Sequence, residues 1–343
     1  MSELRAHKPP GLFSCLATQG TLDVRGNGAN VTESLETVAA KTAALNTPQF
    51  LHDTFLSKEN DEEGRILEHI QTADGVIVLY WPTGPYSDGS VMILAGRDVD
   101  PLVTTIPTEP IYAFSKETQK LYWELFIKTL DTLRECVDPH TYLVFLTENC
   151  VDQYSNETYR TSRTLGSPHG QVVPLKRSAV DQSKYTEVEH LRDERQLLSS
   201  QSFREVSEAI SKKLETPFYY PDENGYPMGY SFYLPEDFTQ ITEVLATHHK
   251  AYAEEITKNL DELTRDFVYT VIPQPSYRLY IHRENSTGKL LCTIAPEIIS
   301  SAGVMETLGI NHYRRLDAPS HLSSEEEMKI RTCIQQMVQR SRN

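Results

Sequence analysis

The chain has 343 residues, with 33 Lys and Arg against 48 Asp and Glu, a formal net charge of −15. Its length is that of two ordinary domains or one large one, and its composition, 39% hydrophobic and 24% charged, is that of a folded globular chain and not of a disordered one. The acidic balance excludes a general nucleic-acid binder, whose affinity rests on Lys and Arg neutralising phosphates, but a few local cations suffice for a small phosphorylated ligand.

The first 30 residues read as an irregular lead-in, and Thr32 to Leu45 as a short capped helix. Gly64 to Ile70 continues a helical pattern. The period then changes: Val76 to Trp81 is an apolar run of strand length, Pro82 to Gly89 a turn, and Val91 to Leu94 a second strand, which together predict a hairpin. From Lys116 to Cys136 apolar residues recur at threes and fours (Leu121, Tyr122, Leu125, Phe126, Leu130, Leu133), an amphipathic helix ended by Asp138-Pro139. Tyr142 to Leu146 is a third strand, Glu148 to Gly166 a polar loop and Gln171 to Leu175 a fourth strand. Arg177 to Gln201, rich in charge and Ser, reads as a connecting segment.

The second part repeats this order: a strand at Tyr230 to Leu234, a long helix within Asp237 to Asp266, and strands at Phe267 to Ile272, Tyr277 to His282 and Leu290 to Ile294. Ser323 with Glu326 opens a C-terminal helix as a capping box. The division that follows is 1–176, a connection over 177–215, and 216–343.

No apolar run approaches the ~18 residues of a membrane span. The start, MSELRAHKPPGLFSC, lacks the apolar stretch of a secretory signal. Cys15, Cys136, Cys150, Cys292 and Cys333 are scattered and form no Cys-x-x-Cys pair. These features predict a cytoplasmic, reducing setting, with neither a disulfide framework nor a Cys-rich zinc site.

The segment Arg160-Thr-Ser-Arg-Thr-Leu-Gly-Ser-Pro-His-Gly-Gln171 carries the chemistry. Arg160 and Arg163 can fork onto phosphate oxygens. Ser162, Thr164 and Ser167 offer hydroxyls, and Gly166 and Gly170 let backbone approach a ligand closely. His169 stands at the mouth of a strand, where a neutral imidazole can attack phosphorus, and the Gln171 amide can steady the oxygens as charge builds. On spacing alone the bland alternative has more weight, because a lone His in a Gly/Pro turn is usually structural.

Ser167-Pro-His169-Gly-Gln171 resembles the His-Pro-His-Gly-Gln signature of the galactose-1-phosphate uridylyltransferases, in the histidine-triad superfamily. The resemblance implies an α+β fold of two histidine-triad-like halves, each an antiparallel sheet with a long helix. It implies His169 as the residue that becomes nucleotidylated, with Gln171 supporting the intermediate. Tyr280-Ile281-His282 is similar to the family's His-x-His strand, and Ala302 to Glu306 to a segment whose Glu contacts sugar. Ser167 stands where the family's first His helps hold zinc, and no Cys-x-x-Cys accompanies it, so that zinc site is expected to be lost and no cofactor is assigned. Tyr280 replaces one His of a second metal pair, leaving His282 as a metal candidate. His282, Glu284 and His312 offer a further metal or phosphate contact, against their more common role as satisfied polar residues. His248-His249 point to different sides of a helix, which predicts solvation or packing and not a metal pair. The aromatic loop from Tyr219 to Tyr230 suits a base or sugar, and suits packing or an interface equally.

The expected activity is nucleotidyl transfer or phosphorolysis on a nucleotide sugar or nucleoside polyphosphate. The expected partners are the nucleotide and a phosphorylated acceptor, with neither nucleic acid nor membrane, and a homodimer is compatible with this. The rival of a different class is a degenerate member that binds a nucleotide or a protein without turnover.

Overall fold

The computed structural model describes residues 66–81, 91–97, 110–136, 142–146, 167–174, 201–217, 230–258, 270–271, 277–284, 287–299, 305–307 and 323–342. The expected helix at 32–45, the polar loop with Arg160, Arg163 and Thr164, the aromatic loop before Tyr230, and His312 lie outside these residues.

The fold is α+β. In chain order it has β1 (Ile66–Thr72), β2 (Gly75–Tyr80), β3 (Val91–Arg97), α1 (Lys116–Cys136), β4 (Tyr142–Leu146), β5 (His169–Pro174) and α2 (Gln201–Leu214). Then follow β6 (Tyr230–Tyr233), α3 (Ile241–Lys258), β7 (Thr270–Val271), β8 (Tyr277–Arg283), β9 (Leu290–Ile299), β10 (Met305–Thr307) and α4 (Ser324–Arg342). Neighbouring strands run antiparallel in the order β1-β2-β3-β5-β4-β8-β9-β6, and the far end of β9 carries β7 and β10. The order reads alike outward from the β4–β8 pair. On one side come β5 and β3, with α1 between β3 and β4 in the chain; on the other come β9 and β6, with α3 between β6 and β8.

Strand alternation sorts the side chains into two faces. Ile77, Leu79, Ile93, Val172, Leu279, Ile281, Cys292, Ile294 and Phe232 join one apolar cluster with Trp123, Phe126 and Leu130 of α1, Val206 and Ile210 of α2, Leu245 and Tyr252 of α3, and Ile330 and Ile334 of α4. The helices therefore cover this first face. Trp123 reaches from α1 to α3, its indole N–H donating to Thr242 Oγ1 at 2.8 Å. The second face also excludes solvent, but Val78, Met92, Leu94, His169, Gln171, Tyr280 and Thr293 on it stand outside that cluster.

The start of α1 is capped from the β1–β2 turn. Asp74 Oδ2 accepts from the Ser115 backbone N–H at 3.0 Å, from Ser115 Oγ at 2.5 Å and from Thr118 Oγ1 at 2.6 Å. Burial pushes the Asp74 carboxyl up, but these hydrogen bonds and the Arg97 charge outweigh it and hold the group below the usual carboxylate range. The capping box of α4 forms as expected: the Glu326 N–H donates to Ser323 Oγ at 3.2 Å and the Ser323 N–H to Glu326 Oε2 at 2.8 Å. Arg283, at the end of β8, donates from Nε and Nη2 to both Asp131 oxygens of α1 at 2.6 and 2.8 Å.

Two segments differ from the sequence reading. The helical pattern of Gly64 to Ile70 is a strand from Ile66 onward, paired along β2, with a register shift between Ile66 and Glu68. That bulge puts Leu67 and Ile70 into the helix-side cluster at a spacing of three, which mimics a helical period. Within the segment read as a connection, residues 201–214 form α2, whose Val206 and Ile210 pack into the core one turn apart.

Candidate functional site

The sequence brings His169 and Gln171 to β5, two residues apart and so on one face, the second face of the sheet. Backbone pairing fixes their level. His169 lies opposite Leu94 and Gln171 opposite Met92 on β3, and Gln171 opposite Phe145 on β4. The Ala95 N–H donates to the Pro168 carbonyl at 2.9 Å, which extends the β3 ladder into the motif. Pro168 has no N–H to give, so a turn entering a strand accommodates it without loss.

The His169 ring is oriented by its own turn. Nδ1 lies 2.9 Å from the Ser167 carbonyl oxygen. A carbonyl only accepts, so Nδ1 carries the proton and donates it, and in the neutral ring the lone pair sits on Nε2. His169 is 1% exposed and Ser167 4%. Gln171 is fully buried, and neither its amide nitrogen nor its amide oxygen has a hydrogen-bond partner among the described residues. An unsatisfied buried donor or acceptor costs about 1–3 kcal/mol, so this carboxamide is suited to a ligand more than to the fold.

Following the register from Gln171 gives the rest of the row. Phe145 pairs with Tyr280, Tyr280 with Thr293, and Thr293 with Ser231. Tyr280, Thr293 and Ser231 are all fully buried, and the Thr293 and Ser231 hydroxyls are hydrogen-bonded at 2.7 Å. In the other direction the row continues through Met92 to Tyr80. The floor around His169 and Gln171 is thus apolar toward β3 and β2 and hydroxyl-bearing toward β8, β9 and β6.

Other candidates fall elsewhere. His282 is half-buried on β8, opposite Leu291, two residues beyond Tyr280 and on the other side of the row from His169. Two strand spacings and four residues separate the two histidines, roughly 16 Å. Glu306 is on β10, opposite Ile298, five residues along β9 from Thr293, and is not brought into the row. Arg278 is a residue the sequence reading passed over. Its neighbour Leu279 is level with Gly170 through Leu146, two strands and roughly 10 Å away, so Arg278 follows on β8 at the end of the sheet where His169 stands on β5. Its signal was present, since it alternates with Tyr280 and His282 along one strand.

His248 and His249 of α3 are both buried and serve packing. The His248 ring stacks on Phe232 with centroids 3.8 Å apart and planes 2° from parallel, and its Nδ1 lies 2.7 Å from the Tyr230 hydroxyl. Burial pushes His248 down to about 4. Burial, with the neighbouring His248, pushes His249 down to about 3, so both rings are neutral at pH 7.

Among the described residues no group of three or more His, Cys, Asp or Glu is placed to hold a metal ion, and no helix is long and apolar enough to cross a membrane. Comparison of the chain with protein-family models, with curated proteins and with solved structures gave no match.

Proposed function

We propose that the protein is a nucleotidyltransferase or phosphorylase that works through a nucleotidyl group carried on His169. The observation behind this is the Nδ1–H bond from His169 to the Ser167 carbonyl, beside a buried Gln171 amide that lacks a partner. Nε2 attacks the α-phosphorus of a nucleotide sugar or nucleoside polyphosphate. The P–N bond forms as the P–O bond to the leaving phosphate breaks, and that oxygen keeps the electron pair. The ring becomes cationic, and its Nδ1–H stays on the Ser167 carbonyl, which stabilises the charge. The Gln171 amide N–H donates to a non-bridging oxygen as charge develops there. Arg160, Arg163 and Thr164, together with the Ser167 hydroxyl, take the remaining phosphate oxygens, while Gly170, paired to β3 and β4, holds the strand that carries His169 and Gln171. A phosphorylated acceptor then attacks phosphorus, and the P–N electron pair returns to Nε2.

The strand order supports the two-half reading of the fold. Beginning at the β4–β8 pair, each side offers a strand, a long helix and two further strands in matching positions. In this correspondence Thr293 stands where Gln171 stands and Leu291 where His169 stands. The second half would therefore carry no nucleophile, and the chain one site.

The burial of His169 favours a second reading, a protein that binds a nucleotide without turnover. Release of the leaving phosphate compound separates the two. A panel of uridine, guanosine and adenosine nucleotide sugars and dinucleoside polyphosphates is incubated with the wild type, His169→Ala and Gln171→Ala, with inorganic phosphate or a sugar phosphate as acceptor. The first reading expects ping-pong turnover with one of them, abolished in His169→Ala and reduced about 100-fold or more in Gln171→Ala. Binding without turnover, or turnover that survives His169→Ala, overturns it.

A further inference from the structure

We infer that Cys136 and Cys333 form a reversible dithiol–disulfide site that joins the end of α1 to the middle of α4. Helices α1 and α4 pack against each other, and Lys128 Nζ of α1 donates to Ser341 Oγ of α4 at 3.1 Å. Eight residues forward from Lys128 along α1 is Cys136, and eight back from Ser341 along α4 is Cys333. Each step is a rise of about 12 Å, which in an antiparallel pair brings the two cysteines to one level.

The side chains agree with this register. The Cys136 and Cys333 side chains are neighbours that interact with each other, which together with the Lys128–Ser341 bond makes the two helices antiparallel. Both residues are half-buried, close enough to solvent for a small oxidant to reach, whereas Cys292 is buried in the core. The pair lies outside the row that contains His169, so this inference does not depend on the proposed function.

The oxidant is a peroxide. One thiolate attacks a peroxide oxygen, the O–O bond breaks, and a sulfenic acid and water form. The second sulfur attacks the first, the S–OH bond breaks, and hydroxide leaves with the second thiol's proton as water. Two thiols thus give two electrons to hydrogen peroxide, yielding one disulfide and two waters. Burial and the neighbouring Cys333 thiol push the Cys136 thiol up to about 11, with Glu135 adding to the shift and Lys329 opposing it. Cross-linking is accordingly slow near pH 7 and faster at pH 9, because the thiolate is the nucleophile. The bond closes a loop containing α2, α3 and every strand from β4 to β10, which restricts the unfolded chain.

The test uses the full chain, reduced and then treated with a small excess of hydrogen peroxide. The expected result is a loss of about 2 mass units, one cross-linked peptide pair containing Cys136 and Cys333, reversal by dithiothreitol, and a melting temperature higher by about 5 °C. Cys136→Ser and Cys333→Ser each abolish the cross-link. The wild-type peptide map stands alone should either variant fail to fold. Oxidation of the two cysteines separately with no cross-linked peptide, or a cross-link from either one to a different cysteine, overturns the inference.

Discussion

A fully buried carboxamide with no partner for either end among the described residues is a cost that the fold carries at Gln171. The neighbouring polar groups show the contrast. Thr293 and Ser231 satisfy one another, and His169 Nδ1 has the Ser167 carbonyl. If the amide is held for a ligand, removing it relieves the ligand-free protein. Gln171→Met keeps the length and volume of the side chain and deletes both polar atoms. The expected outcome is a ligand-free protein more stable by about 1–2 kcal/mol in urea unfolding, with turnover lost. A destabilised variant would mean that the amide serves the fold. At this scale the candidate residues are legible where they are neighbours in sequence. His169 and Gln171 sit in one short motif, and its neighbours Ser167 and Gly170 share their turn and strand. Arg278 and Tyr280 were legible as residues but not as companions of His169, because the pairing that places them is made between β4 and β8, far apart in the chain.

Among the elements, α3 is held to β6 by an aromatic sandwich containing an imidazole, Tyr230 and Phe232 against His248. His248 falls to about 4 and His249 to about 3 through burial, whereas in the unfolded chain each returns to about 6.5. Between these values the unfolded state binds more protons than the folded one, so stability rises with pH there. The contribution is complete above about pH 6.5 and is lost as the pH falls toward 4. Its slope is about 1.4 kcal/mol per pH unit for each imidazole. Urea unfolding at a series of pH values between 5 and 7 should show this loss, and His248→Phe, which keeps a stacked ring, should halve the slope. Stability unchanged over that interval would contradict it. The boundaries of α1 and β4 were readable in full because a strong period and a Pro or polar flank coincide there. By contrast, β1 was mistaken for helix because a bulge imitates a spacing of three. The helix α2 was hidden because Val206 and Ile210 are its sparse apolar members in a charged stretch.

For the whole molecule, the antiparallel order β3-β5-β4-β8-β9-β6 turns two distant stretches of chain into one floor, with helices on the first face and the His169 row on the second. The repeat of strand, helix and two strands was visible in the order of predicted elements. Their joining through β4 and β8 was not, since edge-to-edge pairing leaves no periodic trace in either segment. Under the proposed two-half reading the expected stoichiometry is one nucleotidyl group per chain, because Leu291 and Thr293 would then stand in the places of His169 and Gln171. The most direct measurement of the central claim is the mass of the intact protein after incubation with the nucleotide panel and no acceptor, with His169→Ala alongside. The expected result is a gain of one nucleoside monophosphate per chain, on the wild type alone, located to His169 by peptide sequencing and removed when the acceptor is added. An unchanged mass with every nucleotide, despite measurable binding, or an adduct that persists in His169→Ala, would contradict it.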